Sequence, residues 1–140
     1  MMAERRPKVI GFICERHGME AAVLSARSGK QHDASVRLVE VPCTGRVDGI
    51  HLLKAFEDGA DAVFVFGCLE KNCYYDTGSI EGRKRVGYVK QILEEASIEK
   101  ERIEMFNAAS SNAWMFPQAV EKMVGIARKL GPIEKGGEGQ

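Results

Sequence analysis

Nowhere in this chain does an apolar run reach the roughly 18 residues that a membrane-spanning helix requires. Charge of one sign is lacking too: 20 Lys and Arg balance 20 Asp and Glu, so the formal net charge is zero and no polyanion is implied as a partner. Gly-x-Gly-x-x-Gly and Walker phosphate loops are missing, which leaves nucleotide binding without support. Also missing are a Cys-x-x-Cys pair of the thioredoxin type and a Cys-x5-Arg phosphate loop. The charged opening, Met1 to Lys8, has no small-residue cleavage site and does not read as a signal peptide. A cytoplasmic, reducing location is the expectation, and there cysteines favour metal or redox chemistry over structural disulfides.

What remains is 140 residues with 44% apolar and 29% charged side chains, the balance of one globular domain. Val9-Ile10-Gly11-Phe12-Ile13 is short, β-branched and closed by Cys14, and reads as a buried strand. Met19 to Ser28 is a weakly patterned helix stopped by Gly29. Val36 to Val41 carries Arg37 and Glu40, as an edge strand does. A helix is expected from Thr44 or Gly45, with Val47, Ile50, Leu53 and Phe56 inward and Gly59 ending it. Ala62 to Phe66 is the strongest strand, followed by Gly67-Cys68.

The clearest helical pattern spans about Ile80 to Ala96, with Val86, Val89, Leu93 and Ala96 on one face. Its basic run Arg83-Lys84-Arg85 is read as a solvated first turn, unfavourably close to the positive end of the helix. Ile103 to Phe106, bearing Glu104, is a second edge strand, and Asn107 to Asn112 form the loop after it. The last helix runs from about Pro117 to Leu130, with Val120, Met123, Val124 and Ala127 inward. The domain is expected over residues 1–132, with a disordered tail over 133–140.

Four strand-then-helix units with short connections predict an α/β, flavodoxin-like sandwich: a four-stranded parallel sheet with helices on both faces. The uninterrupted apolar strands are the first and third, and the charge-bearing ones the second and fourth. Order 2-1-3-4 puts each pair where its composition belongs. Ligands in such sheets bind beyond the carboxyl ends of the strands, at the switch in strand order. Cys14, Cys43, Cys68 and Cys73 each end a strand or lie just past one, so the topology gathers all four at that edge.

Four thiolates from such loops suit a two-iron (2Fe-2S) cluster, and Cys68-x4-Cys73 is long enough to arch over one. Zinc is the chemical rival, since Cys14-x-x-His17 has a zinc-like spacing. A nucleophilic cysteine is the other, with Cys43 ahead of a helix start as the candidate. His17 stands as ligand, hydrogen-bond donor or bystander; His32 and His51 carry no assignment. Tyr74, Tyr75 and Trp114 are read equally as loop packing or as anchors for a protein partner.

Val41-Pro42-Cys43-Thr44-Gly45-Arg46-Val47-Asp48, then Leu52-Leu53-Lys54-Ala55-Phe56-Glu57-Asp58-Gly59-Ala60-Asp61, then Gly67-Cys68 with Cys73-Tyr74-Tyr75 and Arg83 to Val86, resemble the methyl-viologen-reducing hydrogenase delta-subunit family. The resemblance covers Cys14 to about Pro132. It implies an electron-transfer subunit with one two-iron cluster, passing electrons between a hydrogenase or formate dehydrogenase-type module and a heterodisulfide-reductase-like flavin subunit. It implies Cys14, Cys43, Cys68 and Cys73 as ligands. Thr44 and Gly45 would supply backbone N–H groups to cluster sulfur, and Arg46 a positive charge. The family usually begins with Cys-x-x-Cys where this chain has Cys14-Glu15-Arg16-His17. The absent cysteine was therefore a spare, or His17 replaces a ligand, or the cluster is lost and the chain is a zinc- or thiol-stabilised structural adaptor. The first reading is preferred because the remaining thiols sum to four.

Overall fold

A computed structural model describes residues 7–14, 36–41, 47–67, 78–107 and 115–133. Four strands, β1 (Val9–Cys14), β2 (Val36–Val41), β3 (Ala62–Gly67) and β4 (Ile103–Asn107), form one parallel sheet in the order β2-β1-β3-β4. Among the described residues the helices are α1 (Gly49–Glu57), α2 (Gly78–Glu95) and α3 (Met115–Leu130), and a 3-10 turn over Lys100–Arg102 leads into β4. Fold and strand order are those the composition predicts. The helix expected over Met19 to Ser28 and the tail beyond Ile133 lie outside the described residues.

Strand side chains alternate between two apolar layers. Val9 and Ile13 of β1, with Ala62, Phe64 and Phe66 of β3, pack against Phe116, Ala119, Val120, Met123, Val124 and Ala127 of α3. Ile10 and Phe12, with Val63, Val65, Ile103 and Met105, pack on the other face against Leu52, Ala55 and Phe56 of α1 and Val86, Val89 and Leu93 of α2. Every residue of β3 is buried, whereas the outer strands expose Arg37, Val39 and Glu40 and half-expose Glu104. Edge strands carry charge because one flank meets solvent rather than a neighbour. Ring edges lock the first layer: Phe66 meets Phe116 at 5.4 Å and 86°, and Phe64 meets Phe106 at 6.3 Å and 72°.

The amino edge of the sheet is tied by polar groups. The Lys8 N–H donates to the Asp61 carboxylate (2.9 Å), the Asp61 N–H donates to the Lys8 carbonyl (2.7 Å), and Lys8 Nζ reaches the Asp58 carbonyl past the end of α1 (2.9 Å). Arg102, only 1% exposed, donates to the carbonyls of Asp61 (3.0 Å) and Gly131 (2.8 Å) and to the Glu99 carboxylate (2.7 Å). One guanidinium thus joins the entry to β3, the entry to β4 and the end of α3.

Four sequence expectations need correction. α1 begins at Gly49, not at Thr44 or Gly45, because Asp48 is extended as its N-cap and Val47 is not helical. Its buried face is Leu52, Ala55 and Phe56; Ile50 is 75% exposed and Leu53 only half-buried. A Cβ at Gly49 would stand 3.7 Å from Val89 and 3.8 Å from Tyr88, ordinary contact distances, so that side of α1 faces α2. Ala96 is exposed rather than inward, because α2 has ended and Ser97 turns the chain with φ 62°. The basic run Arg83 to Arg85 falls in the second turn of α2 rather than the first, which separates it from the helix terminus.

Candidate metal centre

The carboxyl edge is a short row of strand ends. Cys14, the last residue of β1, is paired with Val41, the last of β2, and Cys43 follows Val41 by two residues. On the other side of β1, Ile13 pairs with Phe66, so the next step of the register sets Cys14 beside Gly67, the residue before Cys68. Gly67 is in turn paired with Asn107, the last residue of β4. The backbone of Cys14 therefore sits centrally in this row, with the chain leaving toward Cys43 on one side and toward Cys68 and Cys73 on the other.

Of the residues read as cluster ligands or cluster-binding groups, the structure describes only the backbone of Cys14. His17, Cys43, Thr44, Gly45, Arg46, Cys68 and Cys73 lie outside the described residues, as do Tyr74, Tyr75 and Trp114. Among the described residues, no three His, Cys, Asp or Glu side chains gather as a metal site. Nor is any described helix long and apolar enough to cross a membrane.

Polar groups that the sequence reading did not assign flank the same edge. Arg83 of α2 donates through Nη2 to the side-chain oxygen of Asn107. Asn107 is the final residue of β4 rather than the first of a loop. Two residues along α2, Arg85 Nη1 donates to the Val47 carbonyl (3.3 Å), just past the stretch that holds Cys43 and Arg46. α2 thus reaches both sides of the row, toward β4 and toward the start of α1. A basic pair spaced i, i+2 at the carboxyl edge is the sequence signal for this, once the helix start is known.

His51 also has a role, since its Nδ1 accepts from the Asp48 N–H (3.2 Å). This is the back-reaching half of a capping box, with His at the position Glu or Gln ordinarily holds. The spacing Asp48-x-x-His51 was its signal. It steadies the first turn of α1, which the chain enters from the Cys43 segment.

Comparison with known proteins adds a second line of observation. The sequence pattern described as methyl-viologen-reducing hydrogenase, delta subunit, matches residues 9–131. The vhu iron-sulfur subunit of the F420-non-reducing hydrogenase of Methanococcus maripaludis is 44% identical over 131 residues, 94% of this chain and 96% of that relative. Its counterpart from Methanopyrus kandleri is 42% identical over 125 residues, 89% of this chain and 95% of that protein. One of the subunits of the ferredoxin/F(420)H(2)-dependent CoB-CoM heterodisulfide reductase of Methanosarcina acetivorans is 25% identical over 127 residues, which are 91% of this chain but 16% of that larger protein.

Proposed function

Starting from the fact that this chain belongs to the methyl-viologen-reducing hydrogenase delta-subunit family, we propose that it is a cytoplasmic electron-transfer subunit carrying one two-iron (2Fe-2S) cluster on Cys14, Cys43, Cys68 and Cys73. The observation that supports this best is the register of the carboxyl edge. β1 ends at Cys14 between the strand that leads to Cys43 and the strand that leads to Cys68. Two residues of chain span at most about 7 Å, so Cys43 cannot lie far from the paired Val41, and Cys68 is one residue from Gly67. Four cysteines in the segments that end or follow three adjacent strands match, in number and type, the donor set of such a cluster.

When bound, the cluster supplies a one-electron carrier. The protein's own part is to hold four thiolates, to offer backbone N–H groups at Thr44 and Gly45 to sulfur, and to place Arg46 nearby. With four cysteines present, His17 acts as an outer hydrogen-bond donor rather than a ligand. The partners follow from the relatives. One kind is named as a hydrogenase iron-sulfur subunit, which supports docking to a hydrogenase module, with a formate dehydrogenase-type module as the alternative electron source. In another, a region similar to this chain is part of a larger heterodisulfide reductase polypeptide. Covalent linkage of two domains in one protein supports their association as separate subunits in another, because the tether replaces an affinity. A heterodisulfide-reductase-like flavin subunit is accordingly the second partner.

Iron, acid-labile sulfide and zinc are to be measured on the anaerobically purified chain and on its four Cys→Ser variants. About two iron and two sulfide per chain, falling in every variant, is the expected result. Stoichiometric zinc without sulfide would establish the structural adaptor and remove the electron-transfer reading.

A further inference from the structure

Two arginines of α2 make contacts that flank the cysteine-bearing segments. Arg83 bonds to Asn107, which pairs with Gly67 immediately before Cys68. Arg85 bonds to the carbonyl of Val47, immediately after the stretch that holds Cys43 to Arg46. Both lie in the second turn of a helix whose inward residues Val86 and Val89 are fixed in the core, so their backbone positions are set by packing rather than by a loop. We propose that Arg83, oriented by Asn107, and Arg85, oriented by the Val47 carbonyl, are positioning residues that set the reduction potential of a cluster at this edge. The inference rests on the reading above and assigns residues which that reading does not use.

The physical reason is charge. A one-electron reduction at the carboxyl edge adds one negative charge, and a guanidinium held nearby stabilises the reduced state more than the oxidised one. Arginine suits the task because it remains cationic at every working pH and its planar fork is held by directional hydrogen bonds. Asn107 contributes by accepting a hydrogen bond from the exposed guanidinium of Arg83, which narrows the rotamers open to it. Its neighbour by register is Gly67, so the restraint is applied next to the segment that enters the cluster loop.

The test is a potentiometric titration of the full chain, followed by electron paramagnetic resonance, on wild type, Arg83→Gln, Asn107→Ala, Arg83→Gln/Asn107→Ala and Arg85→Gln, with iron and sulfide assayed on each. The expected result is a midpoint shifted to more negative potential in both arginine variants. Asn107→Ala should shift it in the same direction by less, and the double variant should add little to Arg83→Gln. Arg83→Lys should lie between wild type and Arg83→Gln, and carries the test if the glutamine variant loses iron. Raising ionic strength should shrink the differences, as it does for any partly exposed charge. Midpoints equal to wild type in variants with full iron would overturn this inference and leave the iron–sulfur reading intact. A wild-type chain without iron and sulfide would overturn both.

Discussion

The ring of Phe64 fills the space where a side chain of Gly11 would be. The two residues are register partners on β1 and β3, and a Cβ built on Gly11 meets the Phe64 ring at 2.3 Å. Phe64 has no exposed surface and its ring stands edge-on to Phe106 at 6.3 Å, so any withdrawal of the ring displaces packed neighbours. The glycine here answers a demand for volume rather than for an unusual backbone angle.

Gly11→Ala is expected to destabilise the chain by about 1–3 kcal/mol, the cost typical of forcing extra atoms into a close-packed core. Urea unfolding followed by circular dichroism measures it. Compensation by Phe64→Leu in the double variant would identify the ring as the cause, because coupling of that kind marks residues in direct contact.

Arg102 predicts a larger loss. Truncating it to Met removes the donor shared by the carbonyls of Asp61 and Gly131, which enter β3 and leave α3 respectively. Buried carbonyls left without a donor cost more than the hydrogen bonds themselves contribute, so Arg102→Met should cost about 3 kcal/mol. Hydrogen exchange should locate the loosening at the last turn of α3 and the start of β4. Uniform loss of protection across the sheet would argue against this local role.

Glu99 gives the pH dependence. The hydrogen bond from Arg102 holds its carboxyl below the ordinary value of about 4.5, aided by its own backbone N–H. A carboxyl whose folded pKa is depressed releases its proton more readily in the folded state, so its stabilisation is complete above the unfolded value and is lost as pH falls through the folded one. Wild type and Glu99→Gln should therefore differ in stability at neutral pH and begin to converge as the pH falls below about 4.5, with the difference gone below the folded pKa. The difference is small because the Glu99 side chain is 46% exposed. Thermal unfolding from pH 7 to pH 3 follows it.

The sheet was legible because its strands differ so plainly in composition. An all-apolar Ala62-Val63-Phe64-Val65-Phe66 has nowhere to sit but the middle, and Arg37, Glu40 and Glu104 send their strands outward. That reasoning also located the edge at which Cys14 lies. The face of α1 was not legible, because a nine-residue helix admits more than one apolar stripe. Ile50 and Leu53 fit the period as well as Leu52 and Ala55 do, and what decides between them is packing against the sheet and α2, which spacing alone does not show. Arg83 and Asn107 stand 24 residues apart, and only the folded topology shows that they meet. Arg102 likewise looks like a surface charge in sequence, and its partners are backbone carbonyls that no side-chain pattern announces.

The amino-edge clamp of Lys8, Asp58, Asp61 and Arg102 has a consequence for how this scaffold tolerates change. These contacts close one end of the sheet, and none of them involves a described residue of the opposite end. New loops can therefore be spliced onto the open end while the closed one keeps the layers in register, much as a bound book keeps its pages when leaves are trimmed at the free margin. Grafting the carboxyl-edge segments of a distant relative onto this chain should alter what is bound there and leave the unfolding midpoint nearly where it was.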